Sequence, residues 1–198
     1  MDRIEAFILA GGASSRMGTD KARLTLNGNT FIQHIAETLS AFSSSVTIVG
    51  QHTEDVGLRS IVDIHPRWGA LGGIHTALND CKSDWAFVVA CDLPFVTVDL
   101  CRRLSTFRSH HEAVVPIQSD LVPQPLCGFY KVDPCLDQAT ELIASGRRRP
   151  LDLLQNVRTK WIAFSDLEDL PDAHKFFVNI NTPADYYDAS RKEGTGEK

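Results

Sequence analysis

No apolar run in this sequence approaches the ~20 residues that a membrane-spanning helix requires; the longest, such as Trp85-Ala86-Phe87-Val88-Val89-Ala90, fall far short. The opening residues, with Asp2 and Glu5 beside Arg3, lack the basic and apolar regions of a signal peptide, so a cytoplasmic location without membrane contact is expected. The five cysteines include no Cys-x-x-Cys pair, and an odd set of this kind argues against both a disulfide framework and a structural zinc site. Cys91, Cys101 and Cys127 sit among apolar neighbours and read as small core side chains. Positive charge is not in excess: the formal net charge of -5 disfavours non-specific nucleic-acid binding, while leaving room for an anionic ligand in a local basic pocket. The histidines are scattered, and even His110-His111 lacks a metal partner. No repeat or low-complexity linker divides the 198 residues, and their 43% hydrophobic content suffices for one substantial core. One domain over residues 1–190 is expected, with a polar, frayed tail at 191–198.

What the chain does have is an alternation of short apolar runs and helical periods. Ala6-Phe7-Ile8-Leu9 reads as a buried strand; Phe31, Ile32, Ile35, Leu39 and Phe42 recur at helical spacing; Val46 to Val49 is again a strand, closing a βαβ unit. Ile61 to Ile64 and Trp85 to Ala90 read as strands on either side of a helix from Leu71 to Cys81, and Thr97 is a plausible N-cap for a helix burying Leu100, Leu104 and Phe107. In the second half, Ala113 to Ile117, Leu126 to Tyr130, Trp161 to Phe164 and Phe176 to Val178 read as strands and Leu136 to Ala144 as a helix. The pattern is that of an α/β protein: a mostly parallel, doubly wound sheet with a mixed second half, in which ligands gather beyond the carboxyl ends of the strands.

The most informative passage follows the first strand: Leu9-Ala10-Gly11-Gly12-Ala13-Ser14-Ser15-Arg16-Met17-Gly18-Thr19-Asp20-Lys21. Paired glycines let backbone N–H groups approach a ligand closely, and Arg16 and Lys21 supply the charge that a polyphosphate requires. The spacing fits neither a Walker loop nor the Gly-x-Gly-x-x-Gly dinucleotide fingerprint. Asp92 stands just past the apolar strand Trp85 to Ala90, where a carboxylate is costly unless a cation faces it.

Taken with Gly69-Ala70-Leu71-Gly72-Gly73-Ile74, Cys91-Asp92-Leu93-Pro94, Gln124-Pro125-Leu126-Cys127-Gly128-Phe129-Tyr130 and Asn179-Ile180-Asn181-Thr182-Pro183, this loop resembles the signature of the molybdenum cofactor guanylyltransferases, in their family order over nearly the whole chain. The resemblance implies a Rossmann-like nucleotidyltransferase fold and transfer of GMP from GTP to the terminal phosphate of molybdopterin (Mo-molybdopterin), with Mg²⁺ as cofactor and pyrophosphate released. It assigns Arg16, Lys21 and Asp92 to catalysis, Asp92 to the metal, and Leu9, Ala10, Gly11, Gly12, Lys21, Asp63 and Asp92 to the nucleotide. Asn179, Asn181, Arg147 and Arg148 fall to the acceptor. Asn179 and Asn181 flank Ile180 with strand alternation and so can share a face, while the run Gly146-Arg147-Arg148-Arg149-Pro150 reads equally as a solvated helix end. Trp68 could stack on a ring or anchor its loop. Gly50 stands where relatives often carry asparagine, so a base or ribose contact there is lost or supplied by Gln51 or His52. A cytidylyltransferase acting on the same pterin, another nucleotidyltransferase and a non-catalytic GTP-binding subunit are the alternatives; Ala10-Gly11-Gly12 favours guanine, and Asp92 with Lys21 favours turnover. Transient contact with other cofactor-biosynthesis proteins or recipient molybdoenzymes is also expected.

Overall fold

The computed structural model describes residues 3–10, 25–26, 29–50, 57–180 and 185. Its centre is a seven-stranded sheet. Strand β1 (Ile4–Leu9) is followed by a small hairpin, β2 (Thr25–Leu26) with β3 (Asn29–Thr30), and by α1 (Phe31–Ser40). Then come β4 (Val46–Val49), β5 (Arg59–Ile61), α2 (Gly69–Asp80), β6 (Trp85–Ala90) and α3 (Val98–Ser105). The second half runs β7 (Ala113–Pro116), β8 (Cys127–Lys131), α4 (Val132–Ala144), α5 (Pro150–Asn156) and β9 (Thr159–Ile162), with short 3₁₀ turns at Phe164–Asp166 and Ala173–Lys175.

The spatial order is β5-β4-β1-β6-β8-β7-β9. Strands β5, β4, β1 and β6 are mutually parallel, β8 runs antiparallel to both β6 and β7, and β9 is parallel to β7. The expected mostly parallel sheet with a mixed second half is thus what the chain forms. Strand β1 lies fully inside it, which is why Phe7 and Ile8 are both buried although their side chains point to opposite faces. Ala6, Ile8 and Ala10 join one core with α1 and α3; Phe7 and Leu9 join another with α2, α4 and α5.

Helix α1 begins at a cap that its apolar spacing alone does not reveal. Thr30 and Gln33 form a reciprocal capping box, with the Gln33 N–H donating to Thr30 Oγ1 at 3.2 Å and the Thr30 N–H donating to Gln33 Oε1 at 2.7 Å. Thr97 caps α3 by accepting from the Leu100 N–H at 3.2 Å.

Three local expectations are corrected. The apolar run Ile61 to Ile64 is strand only as far as Ile61, because its partner β4 ends at Val49 and turns away at Gly50 (φ 106°); the Gly50 N–H donating to the Ile61 carbonyl at 2.9 Å is the last rung. Val62 and Ile64 are consequently exposed, and Asp63 lies in the loop leading to α2. Phe176 to Val178 is not a strand: Phe176 and Phe177 pack into the α1/α3 core from a 3₁₀ turn, and the Phe176 and Val178 N–H groups donate locally to the Ala173 and Lys175 carbonyls. The segment 178–180 is irregular too, so the strand alternation invoked for Asn179 and Asn181 does not hold over its described part. Helix α5, by contrast, was too short to announce itself by periodicity.

Candidate active site

In this topology β1 is the switch point: the chain leaves it through α1 toward β4 on one side and returns through α2 to β6 on the other. The crevice beyond the carboxyl ends of such strands is where α/β sheets bind ligands. The Ala10 N–H donates to the Val49 carbonyl at 2.8 Å and the Cys91 N–H to the Leu9 carbonyl at 3.1 Å, so the ends of β4, β1 and β6 are tied into one edge. Leu9 and Ala10 are buried there as the last described residues before the glycine loop. Gly11, Gly12, Arg16, Lys21 and Asn181 lie outside the described residues.

Asp92 is half-buried in the turn after β6, as the sequence placed it. Its backbone carbonyl accepts the Ile180 N–H at 3.0 Å, which brings the Asn179 segment against the Asp92 turn. Backbone pairing of this kind has no side-chain signature, so nothing in the sequence announced it. The segment is also pinned from behind. Lys175, only 5% exposed, extends its ammonium to Asp172 at 3.1 Å and lines, with His34, Phe95 and Thr97, a cleft of about 330 Å³ between α1 and the chain that follows Pro94.

Asp63 lies three strands away, beyond β5. At about 4.8 Å per strand this puts β5 roughly 14 Å from β6, the scale of an extended nucleoside triphosphate. Burial pushes the Asp63 carboxyl above the usual carboxylate range, and its Oδ1 is buried without a hydrogen-bond partner among the described residues. Such an oxygen keeps room to accept from a further donor. Its neighbour is held firmly: the Ile64 N–H donates to Thr76 Oγ1 at 3.0 Å, and that buried hydroxyl donates to the Gly72 carbonyl at 3.0 Å. Thr76 was missed by sequence reading; its place on the buried face of α2, one turn after Gly72, is the signal that could have found it.

The start of α2 reaches the same edge. Trp68 at its N-cap offers no side-chain hydrogen bond, so the first-turn amides remain uncapped by it. A Cβ on Gly73 would lie 3.1 Å from Leu9 Cδ1, and one on Gly72 would lie 2.8 Å from Trp68 Cβ. The paired glycines therefore let the helix close onto β1 and onto its own N-cap.

The arginine run divides. Arg147 donates to both carboxylate oxygens of the buried Asp152, at 3.0 and 3.1 Å, and this bond holds the Asp152 carboxyl below its ordinary range. Arg148 instead lies over the Trp68 ring, 4.8 Å from its centroid. The loop carrying both joins α4 to α5 on the same sheet edge as the other candidates, because α4 begins where the antiparallel β8 ends, at the opposite edge, and runs back.

Among the described residues no group of three or more His, Cys, Asp or Glu side chains is gathered as a metal cage. All five cysteines are thiols rather than disulfides, and burial pushes those of Cys81, Cys127 and Cys135 up to about 11, 12 and 12, which makes these three poor thiolates. No helix among the described residues is long and apolar enough to cross a membrane.

Comparison with known proteins agrees with this geometry. The chain is 34% identical over 198 residues to a probable molybdenum cofactor guanylyltransferase of Clostridium perfringens, with 98% of this chain and 99% of that protein aligned. Its fold superposes on molybdopterin-guanine dinucleotide biosynthesis protein A from Archaeoglobus fulgidus with a TM-score of 0.78 at 25% identity, covering 95% of this chain and 97% of that one. A 4-diphosphocytidyl-2C-methyl-D-erythritol synthase from Anaerococcus prevotii shares the fold alone, with a TM-score of 0.70 at 13% identity over 97% of this chain and 98% of its own. The MobA-like NTP transferase domain matches residues 6–159, and this chain belongs to that family.

Proposed function

We infer that the protein is a molybdenum cofactor guanylyltransferase, transferring GMP from GTP to the terminal phosphate of molybdopterin (Mo-molybdopterin) and releasing pyrophosphate. The observation that carries this reading is the pair of carboxylates, Asp63 with a buried oxygen that has no partner among the described residues and Asp92 in the β6 turn, set on either side of the strand that feeds the glycine loop.

Asp63 accepts hydrogen bonds from the N1–H and amino group of guanine or from ribose hydroxyls, a role that its lack of a partner among the described residues suits. Leu9, Ala10, Gly11 and Gly12 line the phosphates with backbone, while Arg16 and Lys21 neutralise charge that grows on the departing pyrophosphate. Asp92 is the protein's metal ligand. A single carboxylate, with amide oxygens from Asn179 and Asn181 within the same segment, suits Mg²⁺, a hard ion that keeps several waters and arrives on the substrate's phosphates. When bound, that ion supplies Lewis-acid stabilisation of the phosphate oxygens. The acceptor's phosphate monoester has a second pKa of about 6 and is largely dianionic at neutral pH. It needs no general base, which fits a site built of cations, amides and carboxylates, where catalysis rests on positioning and charge stabilisation. Arg148 and the asparagines receive the acceptor; Arg147 braces the Arg148 loop through Asp152. Thiols that form no disulfide suit a reducing compartment, and we place the reaction in the cytoplasm.

The test is pyrophosphate release with GTP, CTP, ATP and UTP, each with and without molybdopterin and with Mg²⁺ present. Release with GTP only when the acceptor is present is expected. Equal or faster release with CTP would assign the enzyme to cytidylyl transfer, and GTP binding without release would make it a non-catalytic subunit.

A further inference from the structure

We propose that Trp68 is a positioning residue for the acceptor: it holds the Arg148 guanidinium across its ring so that the guanidinium's N–H edge is presented to the incoming phosphate. The proposal rests on the reading above, in which the Arg147–Arg148 loop receives the acceptor.

Three observations carry it. Arg148 lies 4.8 Å from the Trp68 ring centroid, whereas Arg147 is engaged through two hydrogen bonds with Asp152 and braces the loop. A guanidinium stacked on an aromatic ring uses its flat face for that contact, and its N–H donors, which lie in the plane, stay available for bidentate phosphate recognition. Trp68 is itself well seated: its Cβ stands so close to Gly72 that a methyl group there would come within 2.8 Å, and the ring of His65 meets the indole edge-on with 6.3 Å between centroids. The next glycine, Gly73, abuts Leu9 at the end of β1. The start of α2 therefore bears on the end of β1 through Gly73 and on Arg148 through Trp68. A side chain that held Arg148 by its oxygen atoms would occupy the donors; an aromatic face does not.

The experiment measures KM for molybdopterin at saturating GTP, and KM for GTP at saturating molybdopterin, in Trp68→Leu, Trp68→Gln, Trp68→Tyr, Arg148→Ala and the Trp68→Leu/Arg148→Ala pair. Two variants without a ring are included so that a folding failure in one leaves the other. Their KM for molybdopterin is expected to rise about two- to fivefold, the ratio that an exposed cation–π contact supports, with KM for GTP unchanged. Trp68→Tyr is expected to stay near the wild type, and the double variant to be no worse than Arg148→Ala. If Arg148→Ala raises KM for molybdopterin while the ring-less variants do not, or if those variants raise both KM values alike, the positioning role is overturned and the acceptor reading stands. If Arg148→Ala leaves KM for molybdopterin unchanged, the acceptor reading of the loop falls and this proposal with it.

Discussion

Replacing Asp63 with asparagine should make the free protein more stable and a poorer binder of nucleotide. The Oδ1 of Asp63 is buried with no partner among the described residues, and burial raises its carboxyl above the ordinary value of 3.8. A carboxyl whose folded value is raised contributes stability at low pH and loses it as pH rises through that value. At pH 7 the ionised group is therefore a net cost to the free protein. The amide is as short of partners among the described residues as the carboxylate but carries no charge, so what the substitution relieves is the cost of burying that charge; Asp63 is only half-buried, and solvent screening keeps the figure to about 1 kcal/mol. For a chain of this length that corresponds to roughly 2–4 °C in Tm. The amide that Asp63→Asn introduces cannot accept from guanine and ribose as a carboxylate does, and losing a hydrogen bond to a charged group costs about 1.5–3 kcal/mol, roughly ten- to a hundredfold in Kd. Thermal unfolding of both proteins with and without Mg·GTP checks the two halves together. The asparagine variant should melt higher when free and gain less from nucleotide. A lower Tm for the free variant with an undiminished nucleotide shift would show that Asp63 holds the fold and not the ligand.

Two further outcomes follow from the structure. In Gly128→Ala the added methyl would lie 2.8 Å from the Val114 carbonyl oxygen in the paired strands β7 and β8, so urea unfolding should show a loss of about 1–3 kcal/mol. His75 is buried, with Nδ1 lacking a partner among the described residues, and its pKa is lowered by burial and then by the neighbouring His65. The unfolded chain thus takes up this proton more readily, so stability should fall as pH drops below 6.5, and the urea midpoints of His75→Leu should fall less over the same range.

How much of this was legible beforehand depends on what each side chain meets. Strands β1, β4 and β6 were readable because residues buried on both faces of a parallel sheet leave uninterrupted apolar runs. Helix α1 declared its face through Ile32, Ile35 and Leu39, although its cap at Thr30 was not read. Asp92 could be placed because it follows β6 directly. Val62 and Ile64 misled because an apolar residue in a sequence does not say whether a neighbouring strand remains to cover it. Phe176 and Phe177 misled for a related reason: they are core residues contributed by a turn, and β-propensity registers burial rather than backbone shape. The sequence also could not divide Arg147 from Arg148. That distinction depends on Asp152 and Trp68, one placed by α5 and the other by the start of α2, and so on the tertiary fold.

Guanylyl transfer as proposed requires one purine triphosphate to span the sheet edge from Asp63 to a metal at Asp92. A crystal structure with Mg²⁺ and GTP decides this. It should show a carboxylate oxygen of Asp92 at about 2.0–2.1 Å from the metal, with Asp63 accepting from guanine or ribose. Nucleotide bound away from the ends of β1 and β6, or a metal ion held without Asp92, would contradict it.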